Sequence, residues 1–328
     1  MSNYGIPYQG SKNRILKNVC SVFPKAKNFY DLFGGGGSVT HFMALHRKND
    51  FENFHYNEIQ ARVYDLFLRA ISGEFNYEKF KPEFVDRERF LKEKDDDGYI
   101  SCVWSFGNNQ RDYIFSKEIE PYKKSMHNAI VFNNFDDLAK ITLGMDRFSE
   151  GYSIEQKRLF LRNKIEYYRL SKTLPKELWC FLNAEQLGRL EQLERLEKLQ
   201  QLQISQQLER LGRLEQLERL GPKKIKTTNM DYKKVEILND SIVYCDIPYK
   251  NTAAYSHEFN HSDFFDWASD LDKPVYISEF NISDPRFKLI KTIKKRSLMG
   301  GSLTKKHPDE KIYINDFGYK ELLKRKNK

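Results

Sequence analysis

An apolar run that ends in an acid and four consecutive glycines, YDLFGGGGSV at residues 30–39, limits the folds open to this chain more than any other stretch. A strand that stops at a glycine loop and gives way to a helix-capable segment is the strand–loop–helix unit of an α/β sheet, where ligands bind beyond the carboxyl ends of the strands. Glycines let a ligand approach the backbone, and the helix start that follows offers free amide hydrogens. The loop lacks the Gly-Lys-Ser/Thr ending of a phosphate-gripping loop and the full spacing of the dinucleotide fingerprint, so phosphate is not the obvious ligand. About twenty residues on, FHYNEI ends a second strand-like run with Glu58, an acid able to accept hydrogen bonds from ribose hydroxyls. A nucleoside without a required phosphate suits both features.

A third run, SIVYCDIPY, ends at Asp246, Ile247, Pro248 and Tyr249. Pro248 has no amide hydrogen for a ladder and confines Ile247 to extended geometry, so the strand stops there. Asp246 and Tyr249 are then candidates for working residues at a carboxyl edge. PVYISEF and EKIYIN read as further strands, whereas residues from about 63 to 182 are rich in charges and aromatics with apolar residues at helical spacing. The expected division is therefore a sheet-bearing domain from residues 1–62 and 222–328, interrupted by a mainly helical insert over 63–221.

Within the insert, leucine occupies every third position from Leu187 to Leu220 except Ser205, and LGRLEQLERL occurs twice. A spacing of three is not the 3.5 of a coiled coil and drifts by roughly 60° per step around an α-helix. Two readings stay open: a helix whose leucines spiral onto its neighbours, favoured by its strong helix formers, or a solenoid-like coil. Either one can act as a spacer.

Fifty-five Lys and Arg against 46 Asp and Glu leave a net charge of +9, which favours a polyanionic partner, nucleic acid ahead of a membrane surface. No apolar run approaches a membrane span, and the amino terminus lacks the build of a signal peptide, so a cytoplasmic protein is expected. Cys20, Cys102, Cys180 and Cys245 show no paired spacing, which signals neither a disulfide framework nor a metal site.

Taken together these stretches resemble the Dam-like DNA adenine methyltransferases, enzymes that move a methyl group from S-adenosylmethionine to the exocyclic amino group of adenine. YQGSK, from Tyr8 to Lys12, is similar to the family's amino-terminal motif, in which an aromatic residue packs on the cofactor. DLFGGGGSV is similar to the family's Phe-x-Gly-x-Gly loop, with Phe33, Gly35 and Gly37 in those places and Asp31 as the preceding acid. NEI puts Glu58 at the ribose-binding carboxylate, and DIPY resembles the catalytic Asp-Pro-Pro-Tyr with Ile247 replacing the first proline.

The resemblance implies a Rossmann-like methyltransferase sheet with helices on both faces, S-adenosylmethionine as cofactor, double-stranded DNA as partner, and no metal. It assigns catalysis to Asp246, Ile247, Pro248 and Tyr249, with Asp246 also bordering the cofactor. The first acceptor for the amino hydrogens is the Asp246 side chain and the second is the backbone carbonyl of Ile247, which any residue supplies. The Tyr249 ring would receive a flipped base. Site-specific methylation of the restriction–modification kind would follow, with 63–221 as the target-recognition insert. There Asn108, Asn109, Gln110 and Arg111, in SFGNNQRDYIF, are types able to read base edges or hold phosphates, although the same residues also suit a polar loop. Methylation of cytosine amino groups or of RNA, and a catalytically silent nucleic-acid-binding protein, remain alternatives.

Overall fold

The computed structural model describes residues 4–76, 80–171, 173–178, 206–221, 225–249, 259–294 and 309–326. The chain forms two compact units, one from residues 1–73 and 216–328 and the other from residues 74–215.

The first unit is built on seven strands: β1 Asn28–Asp31, β2 Asn53–Asn57, β3 Ile225–Thr228, β4 Ser241–Asp246, β5 Val275–Glu279, β6 Phe287–Ile293 and β7 Glu310–Asn315. Their order in the sheet is β3-β2-β1-β4-β5-β7-β6. The first five are parallel, and β7 runs antiparallel to β5 and β6 on either side of it. β1 lies between β2 and β4, with Asp31 opposite Tyr56 on one side and Tyr244 on the other. The chain thus leaves β1 toward one edge and later returns to its other side. That reversal opens a crevice beyond the carboxyl ends of β1 and β4.

Strand alternation sends Tyr30, Val243, Cys245, Val275, Ile277 and Tyr313 to one face, where they pack with Phe264, Phe265 and Ala268 of the helix His261–Asp270. Phe29, Tyr244 and Tyr276 point the other way and meet the ring of Phe23 at 5.1–5.4 Å. Each such buried side chain contributes about 1.5–3 kcal/mol. Both faces are covered, so the central strands are apolar throughout rather than alternating. The Rossmann-like α/β sheet expected from the sequence is present, with helices on both faces.

Helices of the first unit are α1 Leu16–Cys20, α2 Ser38–His46 and α3 Ala61–Ile71. The second unit holds α4 Arg87–Glu93, α5 Gly98–Val103, α6 Glu120–Phe132, α7 Asp137–Leu143 and α8 Ile154–Ser171. α9, Gln206–Leu217, spans the point where the chain re-enters the first unit, which ends with α10 His261–Asp270 and α11 Asp316–Lys326. Local chemistry sets several ends. Asp86, Asp97 and Asp136 cap α4, α5 and α7 by accepting from backbone amides, and Asn133 closes α6 in the left-handed conformation.

Repeat residues 187–205 lie outside the described residues. Beyond them the chain is helical through Leu217 and closes in a 3₁₀ turn at Glu218–Leu220. Leu211, Leu214, Leu217 and Leu220 are all buried. In α9 each step of three drifts backward around the axis, while in the tighter turn a step of three returns to the same side. Arg210 is buried with them and its Nη1 donates to the Val103 and Ser105 carbonyls at 2.6 and 2.7 Å.

Among the described residues no helix is long and apolar enough to cross a membrane. None of their His, Cys, Asp and Glu side chains gather into a metal-binding group, and Cys20, Cys102 and Cys245 are buried.

Candidate active site

The loop after β1 is shaped by its glycines. Gly35 and Gly37 take left-handed conformations, φ +49° and +68°, a region most side chains avoid. Gly37 then starts α2 as its cap. A Cβ on Gly35 would lie 2.9 Å from the Tyr8 ring, and one on Gly37 only 2.3 Å from Phe67. The glycines therefore admit aromatic rings against the main chain, Tyr8 over the loop and Phe67 beneath it. Phe67 also stacks on Tyr56, whose hydroxyl donates to the Gly35 carbonyl at 2.7 Å.

Glu58, just beyond β2, is buried against the same loop. Its Oε2 accepts from the Gly35 amide at 2.7 Å and its Oε1 from the Gln60 amide at 2.8 Å. Each oxygen still has lone-pair capacity for a further donor. Burial lifts the Glu58 pKa above its ordinary value, against the pull of those amides. Ile59 beside it is exposed. Asp31 ends β1 and accepts from Thr40 Oγ1 at 2.8 Å. Burial raises its pKa to about 7, with Asp246 and Glu58 adding to the rise. Phe33 packs its ring in an aromatic cluster, 5.1 Å from Tyr232 and 5.7 Å from Phe259 and Phe264.

At the end of β4 the DIPY turn meets the amino-terminal segment. Lys12 is buried and places Nζ 2.7 Å from Asp246 Oδ1 and 3.5 Å from Glu310 Oε1. It also donates to the Tyr249 hydroxyl at 2.5 Å. Burial alone would lower the Lys12 pKa, but Asp246 and Glu310 outweigh it and leave it raised. The Tyr249 hydroxyl gives its one proton to Glu310 and lies 3.2 Å from Asp246 Oδ1, the alternative acceptor. Burial raises the Asp246 pKa, Lys12 opposes the rise and Glu310 adds to it.

Asp246 keeps 22% of its side chain exposed, and all of its hydrogen bonds among the described residues fall on Oδ1. Ile247 buries its side chain in the core cluster with Val243 and Ile277. The next carbonyl, of Pro248, lies 2.8 Å from His261 Nε2, so the tautomer protonated there holds the turn. The Tyr249 ring is 4.3 Å from that of Phe280, tilted by 51°.

The sequence-predicted residues thus fall into groups. Tyr8, Gly35 and Glu58 meet at the loop, with Asp31 and Gly37 at its two ends. Lys12 joins Asp246 and Tyr249 instead of the loop. Glu310 and Ser278, which belong to the same cluster, are absent from the motifs, and an acid opening EKIYIN is the only signal that marks either.

In the second unit, Ser105 and Tyr113 form an antiparallel bridge that closes a tight hairpin. Gly107, Asn108 and Gln110 are all left-handed in it. Asn109 Oδ1 accepts from the Arg111 and Asp112 amides at 2.9 Å, and Arg111 pairs with Asp112 at 3.0 Å on the surface. Such an exposed pair is screened by water and holds weakly, so Arg111 is open to another anion. Phe106, next to these polar residues, is exposed.

A family model described as D12 class N6 adenine-specific DNA methyltransferase matches residues 8–272. Among curated proteins none matches the chain. Solved structures similar to it include two of the rRNA methyltransferase aviRa from Streptomyces viridochromogenes, at 1.5 and 2.4 Å. Each is 10% identical, with TM-scores of 0.33 and 0.32, covering 96% and 94% of this chain and 89% and 86% of that one.

Proposed function

The chain belongs to the D12 class N6 adenine-specific DNA methyltransferases, and on that premise we propose that it transfers methyl from S-adenosylmethionine to a specific adenine flipped out of double-stranded DNA. The observation that carries the reading is the arrangement of Asp246: Lys12 occupies Oδ1, and the carboxylate stays partly open at the crevice between β4 and β1. Three acids, Asp31 and Glu58 buried and Asp246 half-buried, sit at or just beyond the ends of β1, β2 and β4 with their pKa values raised. A cationic ligand relieves that clustering, and S-adenosylmethionine supplies a methyl group on a positively charged sulfur.

Glu58 would accept the ribose hydroxyls, Tyr8 and the loop from Gly35 to Gly37 would flank the nucleoside, and Asp31 would face the charged end. Asp246 Oδ2 and the Ile247 carbonyl would accept the two amino hydrogens of adenine. The amino nitrogen's lone pair is then drawn out of the ring and forms the new N–C bond, while the C–S electron pair stays on sulfur. Asp246 takes up the proton that the methylated nitrogen sheds, a role suited to a carboxyl of raised pKa. Tyr249 would stack on the extruded base. The hairpin at Asn108, Asn109, Gln110 and Arg111 would contact DNA, with Arg111 exchanging Asp112 for a phosphate.

The test is to incubate the protein with labelled S-adenosylmethionine and DNA of mixed sequence and to map the modified bases. N6-methyladenine at one short motif is expected. Asp246→Ala should lower kcat by about 10²–10³-fold with cofactor affinity retained in calorimetry. Modified cytosine, transfer only to RNA, or near-normal turnover by Asp246→Ala would each overturn the assignment.

A further inference from the structure

Glu310 is the first residue of β7 and is fully buried. β7 is the strand that runs against β5, with Ser278 opposite Ile312 and Glu279 opposite Lys311. Its beginning therefore lies at the edge of the sheet where β1, β2, β4 and β5 end. A reversed strand delivers its amino end to the side where parallel strands deliver their carboxyl ends, and here that end carries an acid.

A charge at this position is costly. A buried carboxylate costs several kcal/mol in desolvation, and an apolar residue of similar size usually serves a fold as well or better. Glu310 is instead bound into the DIPY cluster through one oxygen. Ser278 Oγ donates to Oε1 at 2.8 Å, the Tyr249 hydroxyl donates to the same oxygen, and Lys12 Nζ lies 3.5 Å away. The three protons of the Lys12 ammonium are thereby directed to Asp246, Tyr249 and Glu310. With two carboxylates flanking one ammonium, Lys12 is drawn to the inner side of Asp246 and the phenol is tied at its far end.

We infer that Glu310 is a positioning residue for methyl transfer: through Ser278, Lys12 and Tyr249 it sets which oxygen Asp246 presents to the target amino group and the plane in which the Tyr249 ring meets the base. The inference rests on the reading of Asp246 and Tyr249 given above. Glu310 acts through its neighbours and touches neither cofactor nor base.

Glu310→Gln keeps the volume and an acceptor oxygen but removes the charge. The expected result is a kcat lower by about 10–100-fold, with cofactor affinity and KM within about twofold of wild type. Glu310→Asp, which keeps the charge, should recover part of that loss. Ser278→Ala, which removes one hydrogen bond from Oε1, should lower kcat by less than Glu310→Gln. A kcat within threefold of wild type in folded Glu310→Gln overturns the inference, as does an equal loss of cofactor affinity, which would mark a general structural role. Should Glu310→Gln fail to fold, an unchanged kcat in Ser278→Ala overturns it and a lowered one supports it.

A readout independent of turnover separates this inference from the methyltransferase reading. With 3-fluorotyrosine at position 249, the ¹⁹F resonance should move between wild type and Glu310→Gln, or between wild type and Ser278→Ala. An unmoved resonance overturns the positioning role even if the wild type methylates DNA. A moved resonance in a protein that methylates no adenine leaves the contact standing and removes the proposed chemistry.

Discussion

Asp31 closes β1 with its carboxyl buried and accepting from Thr40 Oγ1, and burial lifts its pKa from 3.8 to about 7. Between those values the native carboxyl holds a proton that the unfolded chain has released, so raising pH through that window removes stability, by no more than about 4 kcal/mol. Asp31→Asn keeps an acceptor for Thr40 and takes no part in the titration. It should match wild type in unfolding free energy near pH 4 and exceed it near pH 7, read by denaturant titration. Affinity for S-adenosylmethionine should behave in the opposite way, rising in wild type from pH 6 to 8 as Asp31 ionises, and staying weak and flat in Asp31→Asn. A pH-independent affinity in wild type would count against Asp31 as a cofactor group. This acid was legible in the sequence because it precedes the glycines in one short motif. Glu310 was not, because what distinguishes it from other acids is the direction of its strand.

At the scale of elements, the edge strands and α9 separate what pattern shows from what packing decides. β1, β2, β4, β5 and β7 follow apolar runs evident in the sequence. β3 and β6, at the two edges of the sheet, read IKTT and FKLIKTI; both carry lysines and β3 is only four residues long, features by which edges avoid pairing with other chains. The leucine spacing of α9 left helix and coil open, and the described part is helical. Its less visible feature is Arg210, whose pKa burial lowers to about 10 while Nη1 holds two carbonyls. Deleting residues 187–210 preserves the leucine register but puts Gln186 in the place of Arg210. Each buried carbonyl left without its donor costs about 1–3 kcal/mol. The deletion variant should therefore melt below wild type, and adding Gln186→Arg should restore most of the difference. Equal melting temperatures with and without that change would show that the Arg210 contacts contribute little.

Over the whole molecule, the helix-rich unit of residues 74–215 leaves the sheet-bearing unit and returns to it at nearly one place. Glu218 lies so close to Gly73 that a Cβ there would fall 2.7 Å from Glu218 Oε1. Replacing residues 74–215 with a short glycine–serine linker should thus give a folded protein that binds S-adenosylmethionine within about threefold of wild type, since Tyr8, Asp31, Gly35 and Glu58 all belong to the first unit, but no longer methylates DNA. Loss of cofactor binding in the folded remnant would place part of that site in the removed unit. The sequence by itself determined the α/β class, the glycine loop and the strand that stops at DIPY, because these depend on neighbours along the chain: a proline ends a ladder and a glycine admits a left-handed turn wherever they occur. Only the tertiary structure decided that Lys12 lies on Asp246 and that Glu310 joins them. Those contacts link residues more than two hundred positions apart, and they depend on the return of the chain to the far side of β1 and on the reversal of β7, neither of which any local pattern encodes.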